Sequence, residues 1–202
     1  MLGLPKSTEL NKQLPKKAIY AKFKMNTSSK ERMDADVSRI TIVNELSPER
    51  INIAVGEKIT SFYVLLVSLK KKNFDERNIV TISKLIPQNI LFILECGQEA
   101  KLAIYYTKLI QTEWRDKESL TIDLKGLNFD KVRENIVKEI GNIKIEQGNS
   151  LDEQIVIDEK KIKLQKEIDR VDKSARKEKQ PKKKLVLANE VKRLTKQLEK
   201  LG

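Results

Sequence analysis

The chain has 202 residues, 39% hydrophobic and 35% charged, which suits one domain of ordinary size or a domain with an appendage. It contains no histidine and one cysteine, Cys96, which removes Ser-His-Asp and Cys-His catalysis, an internal disulfide and any His-ligated zinc. The net charge of +12 sits at the ends: residues 1–30 carry seven Lys and one Glu, residues 173–202 carry eleven basic and three acidic groups, and residues 31–172 come to −2.

That asymmetry predicts a near-neutral globular body whose termini meet an acidic partner. No apolar run approaches the roughly 20 residues that span a bilayer. The opening MLGLPKSTELNK also lacks the apolar core of a secretory signal. The expectation is a cytoplasmic protein with no membrane partner, and Cys96, in the apolar run ILFILEC, fits a reducing compartment. Seven glycines, none clustered, give no phosphate-cradling loop. No cofactor and no metal site are expected, although oxygen ligands alone leave carboxylate-held magnesium open.

In chain order, KSTELNKQL and KKAIYAKF read as two short helical turns of a basic N-terminal segment, residues 1–30, with Pro15 suited to a first helical position. Ser28 to Glu31 has capping-box spacing, predicting a helix from there to about Val37. SRITIVNEL alternates as a strand and stops at Ser47-Pro48. ITSFYVLLVSLKK, residues 59–71, is nearly continuous in apolar character, the pattern of a strand covered on both faces.

Apolar residues at 79, 82, 85 and 86 predict a helix closed by Pro87. NILFILE and AKLAIYYT form a hairpin bent at Gly97, and LIQTEWR and SLTIDL are further strand candidates. NFDKVRENIVKEI is amphipathic and ends at Gly141. Together these predict an α+β core over residues 31–147, a mixed and largely antiparallel sheet flanked by helices.

From residue 151 the rhythm becomes heptad. Ile157, Lys161, Leu164, Ile168 and Val171 form one stripe, and Leu187, Val191, Leu194, Leu198 and Leu201 form a second. Pro181 is poor inside one continuous helix and good in the first turn of another. Residues 151–202 are therefore expected to form an antiparallel helical hairpin whose apolar members dock a partner. Its reversal point, SARKEKQPKKKL, carries Arg176, Lys177, Lys179, Lys182, Lys183 and Lys184, expected to contact nucleic-acid phosphate. A solvated charged loop is the bland alternative.

One catalytic alternative is a degenerate or active magnesium nuclease of the P-D-(D/E)-x-K kind, whose carboxylates hold the metal while a lysine stabilises developing charge. Lys70 follows the long strand suitably, and Glu49 or Glu57 could supply the first acid, but Ser68 stands where the second acid belongs. Trp114 reads as packing rather than base-stacking.

Four passages, LPKSTELNKQLPKKAIY, LSPERINI, ILFILECGQEAKLAIYY followed by TEW, and RKEKQPKKKLVLANEVKRLTKQLEKL, resemble a bacterial family of uncharacterised domains. The resemblance covers nearly the whole chain. Members of that family are typically encoded beside helicases and DNA methyltransferases in restriction and anti-phage clusters. It implies no catalytic residues, and its members often have an acid where Ser68 stands. The function expected from residues and resemblance together is a non-catalytic adaptor of a DNA-processing complex, with helicase or methyltransferase as partner. Self-association through the heptads, as a homodimer, is the third reading.

Overall fold

Residues 62–69 become the strand around which one half of the molecule is built. The computed structural model describes residues 2–201, which form two compact units divided between Asn142 and Ile143. In the first, a 3-10 turn at Lys6–Thr8 leads into β1 (Glu9–Gln13), followed by α1 (Lys16–Lys22), α2 (Thr27–Asp36), β2 (Val37–Leu46), β3 (Phe62–Leu69) and α3 (Arg77–Leu85). The unit continues through β4 (Asn89–Cys96), β5 (Glu99–Tyr105), β6 (Leu109–Gln111), β7 (Arg115–Asp116), a second 3-10 turn and α4 (Phe129–Gly141).

The strands form one sheet in the order β1-β2-β3-β4-β5-β6, with β7 also paired to β5. Only the β3–β4 pair is parallel, and α3 supplies the crossover that a parallel pair requires. The remaining pairs are antiparallel. The architecture is therefore α+β with a mixed, largely antiparallel sheet.

Alternation decides what each face of the sheet holds. Leu65, Val67 and Leu69 of β3 and Ile90, Phe92 and Leu94 of β4 share one core with Ile19 and Tyr20 of α1, Met33 of α2 and Ile79 and Ile82 of α3. The intervening residues Phe62, Val64, Leu91 and Ile93, all 0% exposed, point to the other face. There the Phe62 ring lies 6.0 Å from that of Phe129 in α4, tilted at 44°. Helices on both faces explain why β3 lacks a polar side. Gly97 has φ +65°, the left-handed conformation that turns β4 into β5.

The second unit is α5 (Leu151–Lys177) and α6 (Pro181–Glu199), packed together and joined by three residues, hence antiparallel. Ser150 starts α5 with a complete capping box: its Oγ accepts from the Glu153 N–H, and the Glu153 carboxylate accepts from the Ser150 N–H. Gln154, 1% exposed, fastens the approach to this helix, accepting from the Glu146 N–H and the Asn149 amide and donating to Asp158. Pro181 opens α6, where its missing N–H costs nothing.

Four local expectations are corrected. Residues 9–13 form an edge strand rather than a helical turn, because they find open backbone groups on β2 with which to pair. The α2 cap is Asn26, whose side chain accepts from the Ser29 N–H, two residues upstream of the predicted Ser28. SLTIDL forms no strand: Lys117–Ser119 is a 3-10 turn, and Thr121 makes a single isolated bridge to Leu2. Gly141 is the last residue of α4, and the left-handed C-cap is Asn142, at φ 48°.

Candidate nucleic-acid interface

The hairpin's reversal collects charge because of where the helices stop. Arg176 and Lys177 end α5, Lys179 lies in the link, and Lys182, Lys183 and Lys184 form the first turn of α6. All six are exposed. Arg176 is held by Asp172 one turn back, at 2.7 Å. Among the described residues no acid pairs with any of the five lysines.

The first turn of α6 contains no acid, and its N-cap, Gln180, makes no capping hydrogen bond. A helix N-terminus already carries about +0.5 elementary charge, and a cation placed there is disfavoured. Three lysines therefore sharpen a positive potential that an unpaired helix start would show anyway. Such a tip attracts anions.

The two heptad stripes face each other only in part. Leu194 is 3% exposed, whereas Ile157, Leu164, Ile168, Val171, Leu187, Val191 and Leu198 are half-buried. Ala175, buried at 7%, extends the α5 stripe by one more step and lets the helices approach near their turn. Four apolar side chains outside the stripes are more open: Val156 49%, Ile162 52%, Leu185 63% and Val186 67%. Sequence periodicity passed over these four because they lie off the heptad. The signal was present as paired apolar residues, Ile155-Val156 and Leu185-Val186, where a single seam needs one.

The structure does not assemble the nuclease constellation. Glu49 and Glu57 lie in the connection before β3, and Leu46 pairs with Phe62 at that end. Lys70 follows Leu69, which pairs with Val37 at the opposite end. Eight strand residues at ~3.3 Å each put about 26 Å between the two ends. Glu49 is exposed, and a hydrogen bond from Ser47 holds its carboxyl below the usual range. Glu57 engages its neighbours through its backbone N–H, which donates to Asp130 at 2.7 Å.

Lys70 donates to the Asp34 carbonyl at 2.6 Å, and Ser68 donates across the parallel pair to Glu95, also at 2.6 Å. Among the described residues no group of three His, Cys, Asp or Glu is placed to hold a metal ion.

What the structure builds near Lys70 is a polar brace. Asp36, 3% exposed, accepts from the Asp75 N–H (2.7 Å), the Asn78 amide (3.0 Å) and Lys71 (3.0 Å), tying the end of α2 to the start of α3. Asp34 accepts from Lys16 (2.5 Å) and Tyr20 (2.9 Å). Lys16 keeps the Asp34 carboxyl below its ordinary range, while burial, aided by Asp34, raises the Tyr20 phenol.

Trp114 is half-buried, with Lys101 at 4.9 Å and Lys72 at 6.0 Å from its ring centre. Lys101 also lies 5.1 Å from Phe74, and burial lowers its amine against the pull of Glu76 and Glu113.

Residues 2–198 match the family described as domain of unknown function DUF4391. The chain belongs to that family. The DUF4391 match takes in both the sheet unit and the hairpin, so the basic tip lies inside the family's span. No curated protein and no solved structure matches the chain. No helix among the described residues is long and apolar enough to cross a membrane.

Proposed function

We propose that the chain is a non-catalytic accessory subunit of a bacterial, cytoplasmic DNA-processing complex, in which the hairpin docks a helicase or DNA methyltransferase and its tip contacts DNA phosphates without sequence preference. The observation that carries this reading is the set of five unpaired, exposed lysines at the reversal, three of them in a helix turn whose own dipole opposes them. Charge held against an unfavourable field is stabilised by an anion. A DNA backbone offers one negative charge per ~1.7 Å of duplex.

Docking in this reading uses the half-buried stripe residues together with the open Val156, Ile162, Leu185 and Val186, an apolar helix face of the kind that lies in a partner's groove. The class of partner follows from the family resemblance, and restriction or anti-phage defence is the setting it suggests.

The test replaces Arg176, Lys177, Lys179, Lys182, Lys183 and Lys184 by Gln in the full chain. Complexes co-purified from the native host are then assayed for duplex binding across a salt series. The expected result is an intact complex whose DNA affinity falls sharply and whose residual binding has a shallower salt dependence, about 0.9 lost from the log–log slope per phosphate contact removed. Unchanged DNA affinity at low salt would overturn the reading. Light scattering of the isolated chain at several concentrations separates partner docking from self-association.

A further inference from the structure

We propose that the first unit binds a small amphipathic anion, a carboxylate carried on an acyl chain, in a cleft between α1 and the end of α3. The cleft has a volume of about 430 Å³, within the roughly 300–1,000 Å³ typical of ligand sites. It exists because α1 is short. Seven residues at ~1.5 Å each span about 10 Å, which leaves part of β2 and β3 uncovered.

The register of the sheet sets charge at one side of the cleft and apolar surface at the other. Lys12 of β1 stands opposite Ile42 of β2, and Ile42 opposite Leu65 of β3, so the three side chains form one row on one face. Leu65 is 0% exposed and Ile42 half-buried, so the row runs from an exposed cation at the sheet edge to a closed apolar floor. The C-caps of the two helices, Phe23 and Ile86, are half-buried and wall the cleft.

Lys22, in the last turn of α1, brings a second amine to the rim, 5.5 Å from the centre of the Phe23 ring. Both lysines are exposed, and among the described residues neither has a carboxylate partner and no Asp or Glu lines the cleft. Tyr63, on the floor, donates its hydroxyl to Glu45 at 3.0 Å, and Arg50 pairs with the same acid at 3.1 Å. Helix C-termini carry partial negative charge, so the place of an anionic head is at the lysine amines, and that of its chain is on the floor.

An inorganic anion would use the amines and leave the floor wet. A cationic chain would use the floor and meet two like charges. A carboxylate with an apolar tail engages both, at about a fourfold gain in affinity for each CH₂ it buries. Helix ends on two sides of the cleft suit one monomeric chain rather than a bilayer surface.

None of the cleft's residues belongs to the hairpin, and the test uses the full chain already carrying the six tip replacements, so that the tip lysines cannot supply the binding. Hexanoate, octanoate and decanoate, each below its micelle concentration, are titrated calorimetrically beside octylammonium and 1-octanol. The proposal expects one molecule per chain and an affinity that rises about fourfold per CH₂ until the cleft is full. Octanoate should bind about tenfold or more tighter than octylammonium. Lys12→Gln/Lys22→Gln should weaken octanoate about tenfold and leave octanol unchanged. Ala18→Phe, a larger side chain at an exposed position on the cleft wall, should abolish binding with an unchanged melting temperature.

An affinity independent of chain length would overturn the proposal. Octylammonium binding as tightly as octanoate would do so too, as would octanoate binding that ignores either variant. Phosphatidylglycerol vesicles that hold the chain more tightly than decanoate does would have the same force, by making the cleft face a lipid surface.

Discussion

Phe62, Phe92 and Phe129 of the sheet unit are 0% exposed, whereas in the hairpin unit Leu151, Gln154, Ile155, Ala175 and Leu194 are the buried residues among those described. A sheet covered on two faces surrounds its side chains in every direction. Two helices side by side enclose only a line between them, and most stripe residues remain half-buried there. The first unit thus holds its own core, and the second keeps apolar surface in reserve, which is what a docking element requires.

The largest expected effect lies in the sheet unit. Phe129→Ala removes a fully buried ring beside Phe62 and should cost about 3–5 kcal/mol in urea denaturation. Loss of less than ~1 kcal/mol would show that the core on the α4 face is not sealed. Asp36→Ala should cost about 2–3 kcal/mol, because the Asp75 N–H and the buried Asn78 amide lose their acceptor.

In the hairpin, Leu194→Ala should cost about 2 kcal/mol, near the low end for leucine because a two-helix contact collapses around the gap. Hydrogen exchange of α6 amides reads this, and Ile162→Ala should change it by less than ~0.5 kcal/mol. Lys182, Lys183 and Lys184 exchanged together for Gln should act in the opposite direction, slowing α6 exchange by a few tenths to about 1 kcal/mol while removing anion binding. A destabilised α6 would mean that the lysines serve the hairpin itself.

The smallest effect is at acid pH. A hydrogen bond from Arg77, reinforced by the Arg77 N–H, holds the Asp75 carboxyl at about 2, against ~3.9 when unfolded. Because the folded value is depressed, its contribution is complete above about pH 4 and disappears as pH falls through about 2. A carbon-detected titration should place the Asp75 midpoint near 2 and move it upward in Arg77→Gln.

The hairpin was the more legible half. Heptad spacing is a local pattern, and Pro181 marks its break within a dozen residues. The sheet unit was legible where one segment carried its own signal, as in β3 or the β4–β5 turn at Gly97. Residues 9–13 were not, since ELNKQ has no strand periodicity and becomes a strand only through the edge of β2.

By itself the sequence determined the two heptad helices, their lysine-rich reversal, the doubly covered strand at 62–69 and the lack of histidine chemistry. Each follows from composition or from a period shorter than a few turns. Only the tertiary structure decided the strand order, the separation of Lys70 from Glu49 and Glu57, and the meeting of Lys101 with Phe74 and Trp114. Those depend on pairings between residues far apart in the chain, which local hydrophobic rhythm does not encode.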